Sequence, residues 1–193
     1  MNKLGTEILD WTKSILIAFL VIFIISTFIT QHYNVQGISM EPTFEGSDSI
    51  QDRVFINKLA KPNYGDIVIV DSRIERERVW TDDIFENPLL QLFNKDTTES
   101  AFWIKRVIGL PGDQIEIRDR KIYRNGEMLV EPYILEEMEI SFEPVEVPEG
   151  AVYLMGDNRN YSNDSTEVGP YPISNIIGEV YLRFYPFNRI NLF

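Results

Sequence analysis

Residues 102–108 read FWIKRVI. In a strand, alternate side chains face opposite sides, so Trp103, Lys105 and Val107 share one face and Phe102, Ile104, Arg106 and Ile108 the other. Both faces are mostly apolar, which is the pattern of a strand covered on two sides. Similar short runs flank it: RVFIN (53–57), DIVIV (66–70), QIEI (114–117), KIY (121–123), AVYLM (151–155) and EVYLRF (179–184). Gly, Pro, Asn and Asp separate them, so the chain reads as mainly β. Asn125-Gly126, set between KIYR and EMLV, predicts a type I′ hairpin, because both residues tolerate positive φ.

The N-terminus follows a different pattern. Residues 15–29, ILIAFLVIFIISTFI, hold 13 apolar residues in 15, and no charge occurs between Lys13 and Glu41. An apolar run this long, with no small-x-small cleavage site after it, predicts an uncleaved membrane anchor rather than a removed signal peptide. Trp11 and Tyr33 bracket it as interfacial aromatics. Three regions follow: a tail over 1–13, a transmembrane anchor over 14–30 and a β-rich domain over 31–193. Lys3 and Lys13 place the tail on the cytoplasmic side and the domain on the outer face of the cell membrane.

Two stretches read as insertions in that domain. Residues 71–101 are rich in charge yet carry Ile84-Phe85 and Leu89-Leu90-x-Leu92-Phe93, split by Pro88. A short helix packed on the sheet is the reading preferred over contact with lipid headgroups, because the neighbouring acids oppose an anionic surface. Residues 134–149, with six glutamates and two prolines, read as a solvated loop.

Composition narrows the chemistry. The chain has 193 residues, with 18 Lys plus Arg against 30 Asp plus Glu, a net charge of −12, one His and no Cys. Without cysteine there is no disulfide, thiol nucleophile or Cys-ligated zinc, and a single imidazole excludes a multi-His metal site. The acidic balance argues against nucleic-acid binding, which draws on clustered Lys and Arg. The tail's charges cancel, so the whole −12 belongs to residues 31–193.

Hydrolysis in such a domain falls to Ser, Thr, Lys, Asp, Glu or Tyr. Ser39 lies in GISMEPT, where Gly37 and Pro42 favour an irregular backbone that exposes a hydroxyl. Lys105 is the one lysine of seven inside an apolar strand. It either snorkels or pairs with an acid, or it is a desolvated amine whose lowered pKa makes it a base. In GDNRNYSNDS (156–165), Ser162 can orient that amine, while Asp157 and Asp164 can anchor Arg106 or Arg159; a long polar turn is the plainer alternative. His32, beside Tyr33 at the membrane edge, reads as interfacial. Met40 and Phe44, next to Ser39, are candidates for substrate or membrane contact.

Taken in order, the anchor and then SMEPT (39–43), RVFINK (53–58), GDIVIV (65–70), IKRVIGLPGD (104–113) and MGDNRNYSNDS (155–165) resemble the type I signal peptidases, membrane-anchored Ser-Lys endopeptidases. The resemblance implies an all-β catalytic core with a smaller β extension. It implies Ser39 as nucleophile, Lys105 as general base, Ser162 as the hydroxyl orienting the lysine and the Ser39 N–H as an oxyanion donor. Preprotein signal peptides, the lipid bilayer and the secretion translocon are the implied partners, with no cofactor or metal. Two positions depart from the pattern: Gly37, where some members carry a serine that adds a second oxyanion donor, and Thr166, where Arg is usual. Two other readings are a self-cleaving repressor-type Ser-Lys peptidase, which the anchor and the lack of a DNA-binding half oppose, and a silent membrane-tethered β domain that binds signal peptides or assists secretion.

Overall fold

The computed structural model describes residues 3–47, 50–91 and 102–193. Leu92 and Phe93 of the apolar cluster fall outside these. The chain opens with helix α1 (Lys3–Phe28), whose segment Glu7–Phe28 is long and apolar enough to cross a membrane and is not covered by the rest of the chain. The helix ends two residues before the limit expected from hydropathy, because Thr30 already belongs to strand β1 (Thr30–Asn34). Tertiary partners make that early exit possible. The Lys58 N–H donates to the Ile29 carbonyl and Lys58 Nζ to the Thr27 carbonyl, both at 2.9 Å, satisfying acceptors that a helix end leaves open.

Next come the short strands β2 (Gly46–Ser47) and β3 (Ile50–Gln51), then β4 (Arg53–Asn57) and β5 (Ile67–Asp71). Helices α2 (Trp80–Phe85) and α3 (Pro88–Gln91) occupy the first insertion. Strand β6 (Phe102–Gly109) carries FWIKRVI and leads to β7 (Gln114–Arg118), β8 (Lys121–Arg124), β9 (Glu127–Met128) and β10 (Phe142–Glu146). After β11 (Ala151–Met155) come helix α4 (Ser165–Val168), β12 (Tyr171–Pro172), the long β13 (Ile176–Tyr185) and β14 (Asn191–Leu192).

The main sheet runs β1-β4-β13-β5-β6-β11-β12, with β14 added to β13, and all its pairs are antiparallel. Strand β6 lies inside it, with Lys105 opposite Val68 of β5. The expected two-sided burial holds. Ile104 and Phe102 join a core with Val54, Ile56 and Ile69, while Trp103 and Val107 join another with Val68, Val70 and Leu154. The smaller sheet, β10-β7-β8-β9, forms the extension, and Asn125-Gly126 makes its predicted turn with φ of 54° and 81°.

Three expectations need correction. Residues 134–149 are not a solvated loop: β10 pairs with β7, and Met138 and Val147 are buried against Ile115, Ile117 and Ile122. The glutamates masked apolar residues spaced to reach a core while the acids stay outside. Met40 and Phe44 are not contact residues either, being 1% and 0% exposed. They anchor the Ser39 loop in the interior, with Phe44 against the Phe193 ring. Finally, α2 is a short helix as expected, but it buries no residue, so it does not pack on the sheet through an apolar face.

Candidate active site

An open cleft of about 820 Å3 runs beside β6, and its walls include Tyr33, Ser39, Ile69, Ile104, Lys105 and Ser162. Ser39 reaches it from the loop after β1. That loop turns at Gly37, whose φ of +79° disfavours any residue with a side chain, and the Gly37 N–H donates to the Gly46 carbonyl at 3.0 Å. Buried Met40 and Phe44 fix the far side of the loop. A second loop, carrying the GDNR sequence, is stitched to it: the Asn158 N–H donates to the Ser39 carbonyl at 3.0 Å, and Asn158 Nδ2 to the Ile38 carbonyl at 3.1 Å.

Lys105 is 3% exposed and donates from Nζ to Ser162 Oγ at 2.9 Å. Among the described residues it forms no ion pair. Burial in the sheet pulls its pKa from 10.5 down to about 8, only partly opposed by the more distant Asp164 and Asp157 carboxylates. Near neutral pH a useful fraction of this amine is therefore unprotonated and can accept a proton.

The acids and arginines of the two motifs brace the site. Asp157 accepts from Arg106 Nε at 2.7 Å and Nη2 at 2.6 Å, and from Thr43 Oγ1 at 2.5 Å, tying β6 to both loops. Asp164 caps α4: its Oδ1 accepts from the Thr166 N–H at 3.0 Å and Oγ1 at 2.8 Å, and its Oδ2 from the Gly156 N–H at 2.9 Å. Thr166, the departure from the Arg-ending pattern, thus supports Asp164 with its own hydroxyl. Arg159 does not pair with the motif acids; it meets Glu131 at 2.6 and 2.7 Å.

Sequence reasoning missed Glu131 and Tyr133, whose ring lies 3.9 Å from the Arg106 guanidinium. No periodicity or motif marks either residue, because both lie in the irregular segment after β9. It also missed Gly156, where a methyl would overlap Ser162 Oγ and the Ser39 carbonyl. The signal for that position was on view as the glycine opening GDNR. His32 is exposed on β1, paired in register with Phe55, and is not among the residues lining the cleft. Among the described residues, no three His, Asp or Glu side chains are grouped to hold a metal.

Comparison with known proteins matches residues 8–185 to a family model described as signal peptidase, peptidase S26. Signal peptidase I P of Bacillus subtilis subsp. natto is 32% identical over 196 residues, covering 96% of this chain and 93% of that protein. The probable signal peptidase I-1 of Synechocystis sp. is 35% identical over 176 residues, or 91% of this chain and 81% of that protein. A crystal structure of a signal peptidase I from Enterococcus faecalis V583 aligns with a TM-score of 0.46 and 26% identity, over 62% of this chain and 97% of that one.

Proposed function

The chain belongs to the signal peptidase family, peptidase S26, and we propose that it is a membrane-anchored endopeptidase that removes signal peptides from preproteins with Ser39 and Lys105. The observation that carries this reading is a buried amine in the cleft wall whose near partner is a hydroxyl rather than a carboxylate. In the first step Ser39 Oγ attacks the scissile carbonyl while neutral Lys105 takes its proton. The resulting ammonium protonates the departing amine. Water, activated by the same lysine, then hydrolyses the acyl-enzyme.

The Ser39 N–H is the oxyanion donor that the family resemblance implies, and the Gly37 N–H, taken by the Gly46 carbonyl, adds no second one. Substrate enters as an extended strand between segment 31–38 and β6. Ile69, Ile104 and Tyr33 narrow the apolar walls there, which suits the small side chains that precede signal-peptide cleavage sites. Helix α1 holds the cleft at the outer face of the membrane, where preproteins emerge from the translocon, with the lysine-bearing tail inside.

Incubating purified full-length protein in detergent with a preprotein tests the assignment. Ser39→Ala is expected to abolish product formation while leaving the protein folded. Undiminished cleavage by Ser39→Ala would remove Ser39 as the nucleophile, and no cleavage by the wild type would leave the silent, tethered-domain reading in its place.

A further inference from the structure

Helix α2 has the polarity of a soluble helix reversed. Its acids face the body of the protein. Asp83 meets Lys58 at 3.0 Å and Arg78 at 3.4 Å, Asp82 meets Arg76 at 2.9 Å, and Glu86 just past the helix meets Arg73 at 3.0 Å and Arg78 at 2.7 Å. Asp71 completes the cluster by taking Arg73 and Arg78, so four carboxylates stand against four cations. Three apolar side chains point away while Ile84 is half-buried: Val79 at the helix start is 56% exposed, Trp80 68% and Phe85 75%. A helix that met only water would present the opposite face.

The location of α2 gives that face a partner. Asn87, two residues beyond the helix, donates from Nδ2 to Thr27 Oγ1 at 2.7 Å and to Ser26 Oγ at 2.9 Å. Lys58, which pairs with Asp83, also binds the Thr27 carbonyl. These contacts tie α2 to the last turn of α1, where the apolar helix ends and the sheet begins. An indole and a phenyl ring at that level match the chemistry of the lipid headgroup region.

We propose that α2 docks on the outer surface of the bilayer that α1 crosses, with Val79, Trp80 and Phe85 in its interfacial layer. The proposal rests on α1 being a membrane span. The acids that argued against lipid contact at the sequence level are neutralised in the cluster, and the exposed Glu75 and Glu77 lie on the loop before the helix. Because Glu86 also lines the cleft, docking of α2 sets the depth and tilt of the cleft above the membrane.

Two single-tryptophan proteins test this in vesicles of phosphatidylcholine and phosphatidylglycerol with brominated acyl chains. One keeps Trp80 (Trp11→Phe, Trp103→Phe) and the other keeps Trp11 (Trp80→Phe, Trp103→Phe). Bromines placed about 5 to 10 Å below the headgroups should remove roughly half of the emission of each protein. Quenching of Trp11 without Trp80 overturns the docking and leaves the span intact; quenching of neither overturns both. Since the chain has no cysteine, Phe85→Cys carries a single fluorophore in the otherwise native protein. The same lipids should quench it, and full emission would overturn the docking independently.

Discussion

Lys105 and Lys58 are both nearly buried, and burial lowers the pKa of both, but they face different partners. In the cleft, Lys105 meets a serine hydroxyl. At the junction of α1 and the sheet, Lys58 meets the Asp83 carboxylate and a helix-end carbonyl. A carboxylate partly offsets the burial that disfavours the ammonium, whereas a hydroxyl accommodates the neutral amine. The two regions show that burial alone does not make a lysine a base; the absence of a contacting acid is what leaves its proton labile.

The sharpest way to break this contrast is to remove each amine in turn. Lys105→Ala should lower preprotein cleavage at least about a thousandfold, while Lys58→Met should stay within about threefold in detergent. Equal losses measured as kcat/KM would dissolve the distinction.

The pH dependence comes next. The proposed mechanism needs Lys105 neutral, so kcat/KM should rise about tenfold per pH unit below the pKa and level off above about 8, a span of roughly a hundredfold from pH 6. A profile flat from pH 6 to 9 would count against a lysine base.

Giving the cleft lysine the partner of the junction lysine is a more selective probe. Ser162→Asp should move the rise of the pH profile upward by about one unit or more and cut activity at pH 8 by roughly tenfold. Recovery at high pH separates this outcome from misfolding, which would depress activity at every pH.

Stability should carry the contrast with opposite signs. The folded pKa of Lys105 lies below its unfolded value, so between about 8 and 10.5 the unfolded chain holds a proton that the folded chain lacks. Its destabilising contribution is complete below about pH 8 and fades as pH rises to 10.5. Lys105→Met should therefore raise unfolding free energy at pH 7 by roughly 1 to 3 kcal/mol, while Lys58→Met should lower it by roughly 1 to 2 kcal/mol through the lost hydrogen bonds to Asp83 and to the Thr27 carbonyl. Urea unfolding in detergent measures both; the same sign in both variants would refute the comparison.

Much of the site was legible because its residues lie in ordered motifs. Ser39 between Gly37 and Pro42, Lys105 in an apolar strand and Ser162 in GDNRNYSNDS were each singled out, and all three line one cleft. The motif arginines were harder. Arg106 does take Asp157, one of the two acids named for it, but Arg159 takes Glu131, which belongs to no motif. Met40 and Phe44 were misjudged because a buried loop and an exposed one have the same local composition. The glutamate-rich segment concealed β10 for a similar reason: its apolar residues are sparse, and their burial comes from pairing with β7.

Strand periodicity, the Asn-Gly hairpin and the apolar length of α1 arise from the backbone and from neighbouring residues, so the linear order of amino acids already determined them. The environment of a side chain does not. Lys105 and Ser162 are 57 positions apart, and Lys58 and Asp83 are 25 apart. The outward apolar face of α2 likewise arises from ion pairs that draw its acids inward. Which lysine keeps its proton, and which face of a helix is left for lipid, follow from partners that only the folded chain brings together, because desolvation and charge pairing depend on distance in space.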